Sequence, residues 1–152
     1  MRKLKMDRVK AAFIAAFSTI FGWLGILAVP VLILAGLNVT DYITGIAASK
    51  RRNEQVTSDK GLWGIVKKVG MWILVGIGWA MDVLINYAGQ YVGLTIKLPF
   101  VVATIVAVWL ICNEIISILE NLLDIGVAMP PFLLPLARMI KGQVEDKTKM
   151  DA

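Results

Sequence analysis

The sequence predicts an all-α integral membrane protein with four transmembrane helices and a short amphipathic C-terminal segment. Three observations carry this reading. Hydrophobic residues make up 58% of the 152 residues and charged residues 18%, with mean hydropathy +0.74. One small core cannot hide that much apolar surface, so part of it must face lipid. The apolar residues fall in runs long enough to cross the ~30 Å hydrocarbon layer, which takes about 20 residues of helix. The basic residues gather between those runs, where they orient spans with positive flanks inside. The net charge of +5 is therefore assigned to topology, and no nucleic-acid partner is expected.

From Ala11 to Thr40 the chain has 30 residues without a charge, and its apolar character continues past Asp41 to Ser49. That stretch is too long for one untilted span and fits two, with a tight turn near Gly25–Pro30. Proline, lacking an N–H, suits the start of a second helix. A third run covers Val69 to Ile96 around Asp82, and a fourth covers Leu98 to about Leu119 around Glu114. Residues 1–10 carry a net +4 and residues 50–68 another +4, whereas the 88–97 connection has only Lys97. Both basic segments are expected inside and Lys97 outside, which requires an even number of crossings between residues 11 and 49. The expected spans are 8–27, 30–49, 63–87 and 97–120. Three spans plus an N-terminal helix lying on or partly in the membrane is the alternative. A cleaved signal peptide is not expected, because the first run is too long and no small-x-small site follows a short apolar region.

Residues 1–124 then form the transmembrane domain. Residues 125–152 form a cytoplasmic segment: a turn at Gly126 to Phe132, a short interfacial helix over 132–142 with Arg138 and Lys141 on its polar side, and a disordered tail.

No histidine occurs, and Cys112 is the only cysteine. This excludes His-dependent catalysis, His metal sites, thiolate clusters and an internal disulfide. With no phosphate-binding glycine loop or nucleophile elbow, neither an enzyme nor a cofactor is expected. The informative residues are those that are costly in lipid. Asp41 and Asp82 stand inside apolar runs. Asn113, Ser117, Glu120 and Asp124 recur at i, i+4, i+7 and i+11, with Glu114 and Asn121 alongside, which predicts a polar face on the last span. Such groups serve either a pore or assembly surface, or plain capping and interhelical bonding. In the first span Ala11, Ala15, Ser18, Gly22 and Gly25 form a stripe of small residues. It suits close packing, either on the second helix or between subunits.

These features together resemble a known family. Asp41-Tyr42-Ile43-Thr44-Gly45 is similar to the D-Y/I-I/L-T-G signature of a phage holin family that also includes holin-like proteins of toxin secretion. Ser58-Asp59-Lys60-Gly61, Gly64 and Lys67-Lys68 continue the match, and Asp82 falls where the family has an acid. Asn113-Glu114-Ile115-Ile116-Ser117-Ile118-Leu119-Glu120-Asn121 resembles its N-E-x-x-S-I-x-E-N segment, and Gly126-Val127 with Met129-Pro130 its G-V-x-x-P turn. The resemblance covers about residues 30–135. Pro131 departs from it, where a basic residue is common.

The resemblance implies a holin: a protein that homo-oligomerises in the bacterial cytoplasmic membrane and opens lesions at a set time. An endolysin, or a toxin in the secretion variant, passes outward as cargo without stable binding, and lipid and other copies of the chain are the partners. A small ion channel or transporter subunit is the rival reading. Some holins use paired translational starts. Here an alternative start at Met6 would remove Arg2, Lys3 and Lys5 and lower the N-terminal charge from +4 to +1. An ordinary methionine is the other reading of that residue.

Overall fold

The computed structural model describes residues 2–54, 57–93 and 99–148, and these are helical apart from short connections. Helix α1 (Arg2–Leu24) meets α2 (Ala28–Arg51) through a 3-10 turn at Gly25–Leu27; α3 (Ser58–Tyr91), α4 (Val101–Ile125) and α5 (Leu133–Thr148) follow. The all-α membrane architecture expected from the sequence is thus present. Three stretches are long and apolar enough to cross a membrane: Met6–Arg51, Ser58–Tyr91 and Val101–Ile125. The first, at 46 residues, is about twice the length one crossing needs, so the chain makes three or four crossings.

The helix ends follow from local chemistry. Gly25 has φ +52°, a left-handed conformation that glycine adopts without a side-chain clash, and it breaks the first apolar run where a turn was expected. Thr57 caps α3, its hydroxyl accepting the Lys60 amide at 3.3 Å. Helix α4 stops at Gly126 (φ +95°), with the amides of Gly126 and Val127 closing on the carbonyls of Leu123 and Leu122 at 2.9 and 3.0 Å. That is the glycine stop of a Schellman turn.

Helix α4 is the centre of the bundle. A third of its most apolar stretch is buried (33%), against 17% in each of the other two, and it packs on α2, α3 and α5. The buried residues of α3 and their half-buried neighbours recur at spacings of three and four: Gly61, Gly64, Lys68, Met71, Val75, Gly78, Asp82, Asn86 and Gly89. The same rhythm runs through Leu27, Val31, Leu34, Asn38, Asp41, Gly45 and Ala48 in and before α2. It also runs through Ala103, Ala107, Leu110, Glu114, Ser117 and Asn121 in α4. This 3.5-residue repeat keeps one seam of each helix facing its neighbours. Lipid is as apolar as leucine, so close approach and polar contacts, not water exclusion, hold such helices together. Gly78 permits that approach: a Cβ there would stand 2.8 Å from the Ala103 Cα.

The small-residue stripe of α1 does not pack on α2. Residues 6–20 of α1 are exposed, with Ala11, Ala15 and Ser18 among them, and nothing lies near Gly22. Helix α1 meets the bundle at its end, where the Trp23 ring lies 6.2 Å from Trp79 and 5.8 Å from Phe100. One expectation is corrected, that of the C-terminal helix, expected to end at residue 142. It continues to Thr148 and turns back along α4, because its polar side chains find partners there. The Trp109 indole N–H donates to Glu145 Oε1 at 2.8 Å, Lys141 Nζ lies 5.3 Å from the Trp109 ring centre, and Arg138 binds Glu120 at 2.8 Å. Lys97, the start of the expected fourth span and the side chains of Arg2, Lys3 and Lys5 lie outside the described residues.

Candidate functional site

The ends of α2 and α4 and the start of α3 come together at the basic end of the bundle. Ten or eleven residues inward, about 15 Å along each helix, one side chain from each helix meets the others. Lys68 of α3 donates to Asp41 Oδ2 of α2 at 2.6 Å and to Glu114 Oε2 of α4. Glu114 is 3% exposed and Lys68 and Asp41 are 16% and 17% exposed, so this is an interior cluster of three charges.

Amide side chains add to these contacts. Asn121 donates to Asp41 Oδ1 and to the Thr44 hydroxyl, both at 3.2 Å, and Thr44 donates to the Asp41 carbonyl at 3.1 Å. With its amide oriented to suit both neighbours, Asn38 donates to Glu114 Oε2 and accepts from the Trp72 indole, each at 3.1 Å. A buried charge is tolerated when it is both paired and hydrogen-bonded, as here; removing one partner of such a pair costs about 3–5 kcal/mol.

Beside this network lies a cavity of about 410 Å³, open toward the basic end. Its wall includes Tyr42 and Gly45 from α2, Gly64 and Lys67 from α3, and Asn113 and Ser117 from α4. Three separated segments that carry the holin-like resemblance, 41–45, 60–68 and 113–121, therefore share one site.

Asp82 serves the opposite end. Both its oxygens accept backbone amides of the first turn of α4, from Val102 and Ala103, each at 2.9 Å. The residue before α4, Phe100, is left-handed (φ 60°) and offers no side-chain cap. Asp82 thus caps α4 from a neighbouring helix, its charge set against the positive end of the helix dipole.

The polar face expected along α4 divides. Asn113 and Ser117 line the cavity, Glu114 and Asn121 enter the ion network, Glu120 turns outward to Arg138, and Asp124 binds Arg52. Arg52 also binds Glu54 at 3.0 Å, and this hydrogen bond, reinforced by the charge of Arg52, holds the Glu54 carboxyl below the usual range. Sequence reasoning missed Lys68, Asn38 and Trp72. Lys68 was counted among the topological cations of the 50–68 loop. The available signal was its register with Gly64, Val75, Gly78 and Asp82, which places it on the buried seam.

A helical bundle of membrane-crossing length, with charges paired between helices inside it, defines a multi-pass membrane protein. The chain belongs to the bacteriophage holin family, which it matches over residues 16–142. It is 28% identical over 115 residues to the "probable holin" of Bacillus phage phi105, covering 76% of each chain. An uncharacterized protein of Listeria monocytogenes is 32% identical over 140 residues, 91% of each chain. An uncharacterized 14.9 kDa protein of Clostridium perfringens is 30% identical over 131 residues, 86% of this chain and 91% of that one. No solved structure matches the chain. Membership points to a non-enzymatic membrane protein with a holin role.

Proposed function

We propose that the protein accumulates in the bacterial cytoplasmic membrane, self-associates, and opens lesions at a set time, through which an endolysin reaches the cell wall. Family membership over most of the chain is the observation that carries this reading. With a large toxin as cargo, the same event would serve secretion. The basic end faces the cytoplasm, as the two +4 segments favour.

The Asp41–Lys68–Glu114 network acts as the catch. While it is closed, each protomer satisfies its intramembrane charges alone. When it opens, those groups need water or the polar faces of other copies, which favours a lumen over lipid. The small-residue stripe of α1, unpartnered within the chain, supplies a contact between copies. Asp82→Leu and Glu114→Leu would therefore insert but change or abolish lesion timing. Met6 acts as a second start, and Met6→Leu delays lysis.

Induced expression with a co-expressed endolysin tests the reading. Abrupt growth arrest with release of cytoplasmic protein is expected. Sustained growth with the protein present in the membrane would refute it. The ion cluster also fits a small channel or transporter subunit, which would collapse the membrane potential without releasing protein.

A further inference from the structure

The cavity at the basic end has a rim that the ion network does not use. Lys60 and Lys67 stand seven residues apart on one face of α3, about 10 Å along its axis, with Gly64 between them. Gly64 leaves the gap open. The Tyr42 ring forms its floor, since a Cβ on Gly64 would meet that ring at 3.6 Å and one on Gly61 would meet the Tyr42 hydroxyl at 3.5 Å.

Neither lysine is committed to the interior. Among the described residues Lys67 has no hydrogen-bond or ion-pair partner, and Lys60 has only a 3.6 Å contact with Glu54 between exposed side chains. Such surface pairs are weak and easily exchanged. Deeper in the cavity Lys68 pairs with Asp41 and Glu114, and Asn38 and Asn121 hydrogen-bond them, so one carboxylate charge remains there to offset part of the rim's positive charge. Arg52 is held between Glu54 and Asp124. The donors the rim offers are therefore two ammonium groups with a phenol hydroxyl beside them.

The geometry points to a binding site for a phosphate ester, with Lys60, Lys67 and Tyr42 as its donors. The cavity, about 410 Å³, has the volume of roughly a dozen waters, enough for a phosphodiester with its glycerol. The outer side of the same stretch of α3 is apolar and exposed: Leu62, Trp63 and Val66 project there. A phosphate in the rim thus has a surface beside it along which acyl chains can lie, with tryptophan at headgroup depth. An anionic lipid headgroup and a free phosphate ester share this chemistry.

The full-length protein, taken from vesicles of equal phosphatidylglycerol and phosphatidylcholine, is examined by native mass spectrometry for retained lipid. Selective retention of phosphatidylglycerol is expected. Lys60→Gln/Lys67→Gln should lower it roughly thirtyfold, each lysine near an anionic surface contributing about 1 kcal/mol. Lys60→Arg/Lys67→Arg should restore it, and Tyr42→Phe should lower it about threefold for one lost hydrogen bond. Displacement of the lipid by millimolar glycerol phosphate would make the free ester a ligand as well; resistance would make the lipid the occupant. Equal retention of both lipids by the wild type would overturn the site. So would an equal loss in Arg8→Gln/Lys10→Gln, which lowers net charge as much on α1, outside the cavity wall.

Discussion

Glu114 and Asp82 are the two acids buried deepest among the described residues, and the bundle satisfies them by opposite means. Glu114 relies on another charge, an ammonium brought from a second helix and shared with a third. Asp82 relies on the backbone, accepting two amides at a helix terminus. The first arrangement ties three helices at one point and fails as a unit when any member is lost. The second ties two helices, and half of it survives a change that keeps one acceptor oxygen. The same residue class at similar burial therefore serves as an ion-pair tie between helices at one end and as a helix cap at the other.

Substitutions at the two ends should separate these roles. The largest effect is expected at Lys68. Lys68→Met leaves two buried carboxylates facing each other and should destabilise the detergent-solubilised protein by about 3–5 kcal/mol, read by denaturant titration of its helical signal. Lys68→Met combined with Glu114→Gln and Asp41→Asn should recover much of that loss, since the uncompensated charges go with it; no recovery would mean that the cluster matters through shape alone.

Next in size is Gly78→Ala, which sets a methyl against the Ala103 backbone at 2.8 Å. It should cost about 1–3 kcal/mol, as overpacked sites do, and should separate α3 from α4 near the Asp82 cap. Asp82→Asn keeps one acceptor oxygen and loses the charge. A loss near 1 kcal/mol in the same titration is expected, as for a weakened helix cap. A loss matching that of Lys68→Met would erase the distinction between the two ends.

The smallest effect concerns acid. Glu54 has its carboxyl depressed by Arg52, so the stability this contact provides is present above the unfolded-state pKa and is lost as pH falls through the folded one. Both groups are exposed, so for Glu54→Gln only a slight loss at neutral pH is expected, with stability below the folded-state pKa unchanged and the acid limb of the stability-against-pH curve slightly flattened.

Much of this architecture was legible because lipid imposes strict rules. Uncharged runs marked the spans, Gly126 with the following prolines marked the stop of α4, and Asp41, Glu114 and Asn121 stood out as polar groups in apolar surroundings. What stayed hidden depended on partners distant in sequence. Lys68 looks like a loop cation because Lys67 precedes it and the 50–68 segment is basic; only the three-and-four rhythm through α3 turns it inward. The last turns of α5 read as disordered from Glu145, Asp146 and Lys147. Their helix forms because Lys141 and Glu145 reach Trp109, a residue that looks like any other apolar side chain of α4. The expected face of Asn113, Ser117, Glu120 and Asp124 divided because three different neighbours, the cavity, α5 and the segment after α2, surround that helix.

The central proposal is that lesions form when the Lys68 network opens. The most direct measurement is the interval from induction to release of a cytoplasmic enzyme, in cells holding equal membrane amounts of wild type and Lys68→Met. Wild type should release the enzyme abruptly after a lag, and Lys68→Met should shorten that lag. Release by both proteins on one schedule, or none from wild type at full accumulation, would contradict it.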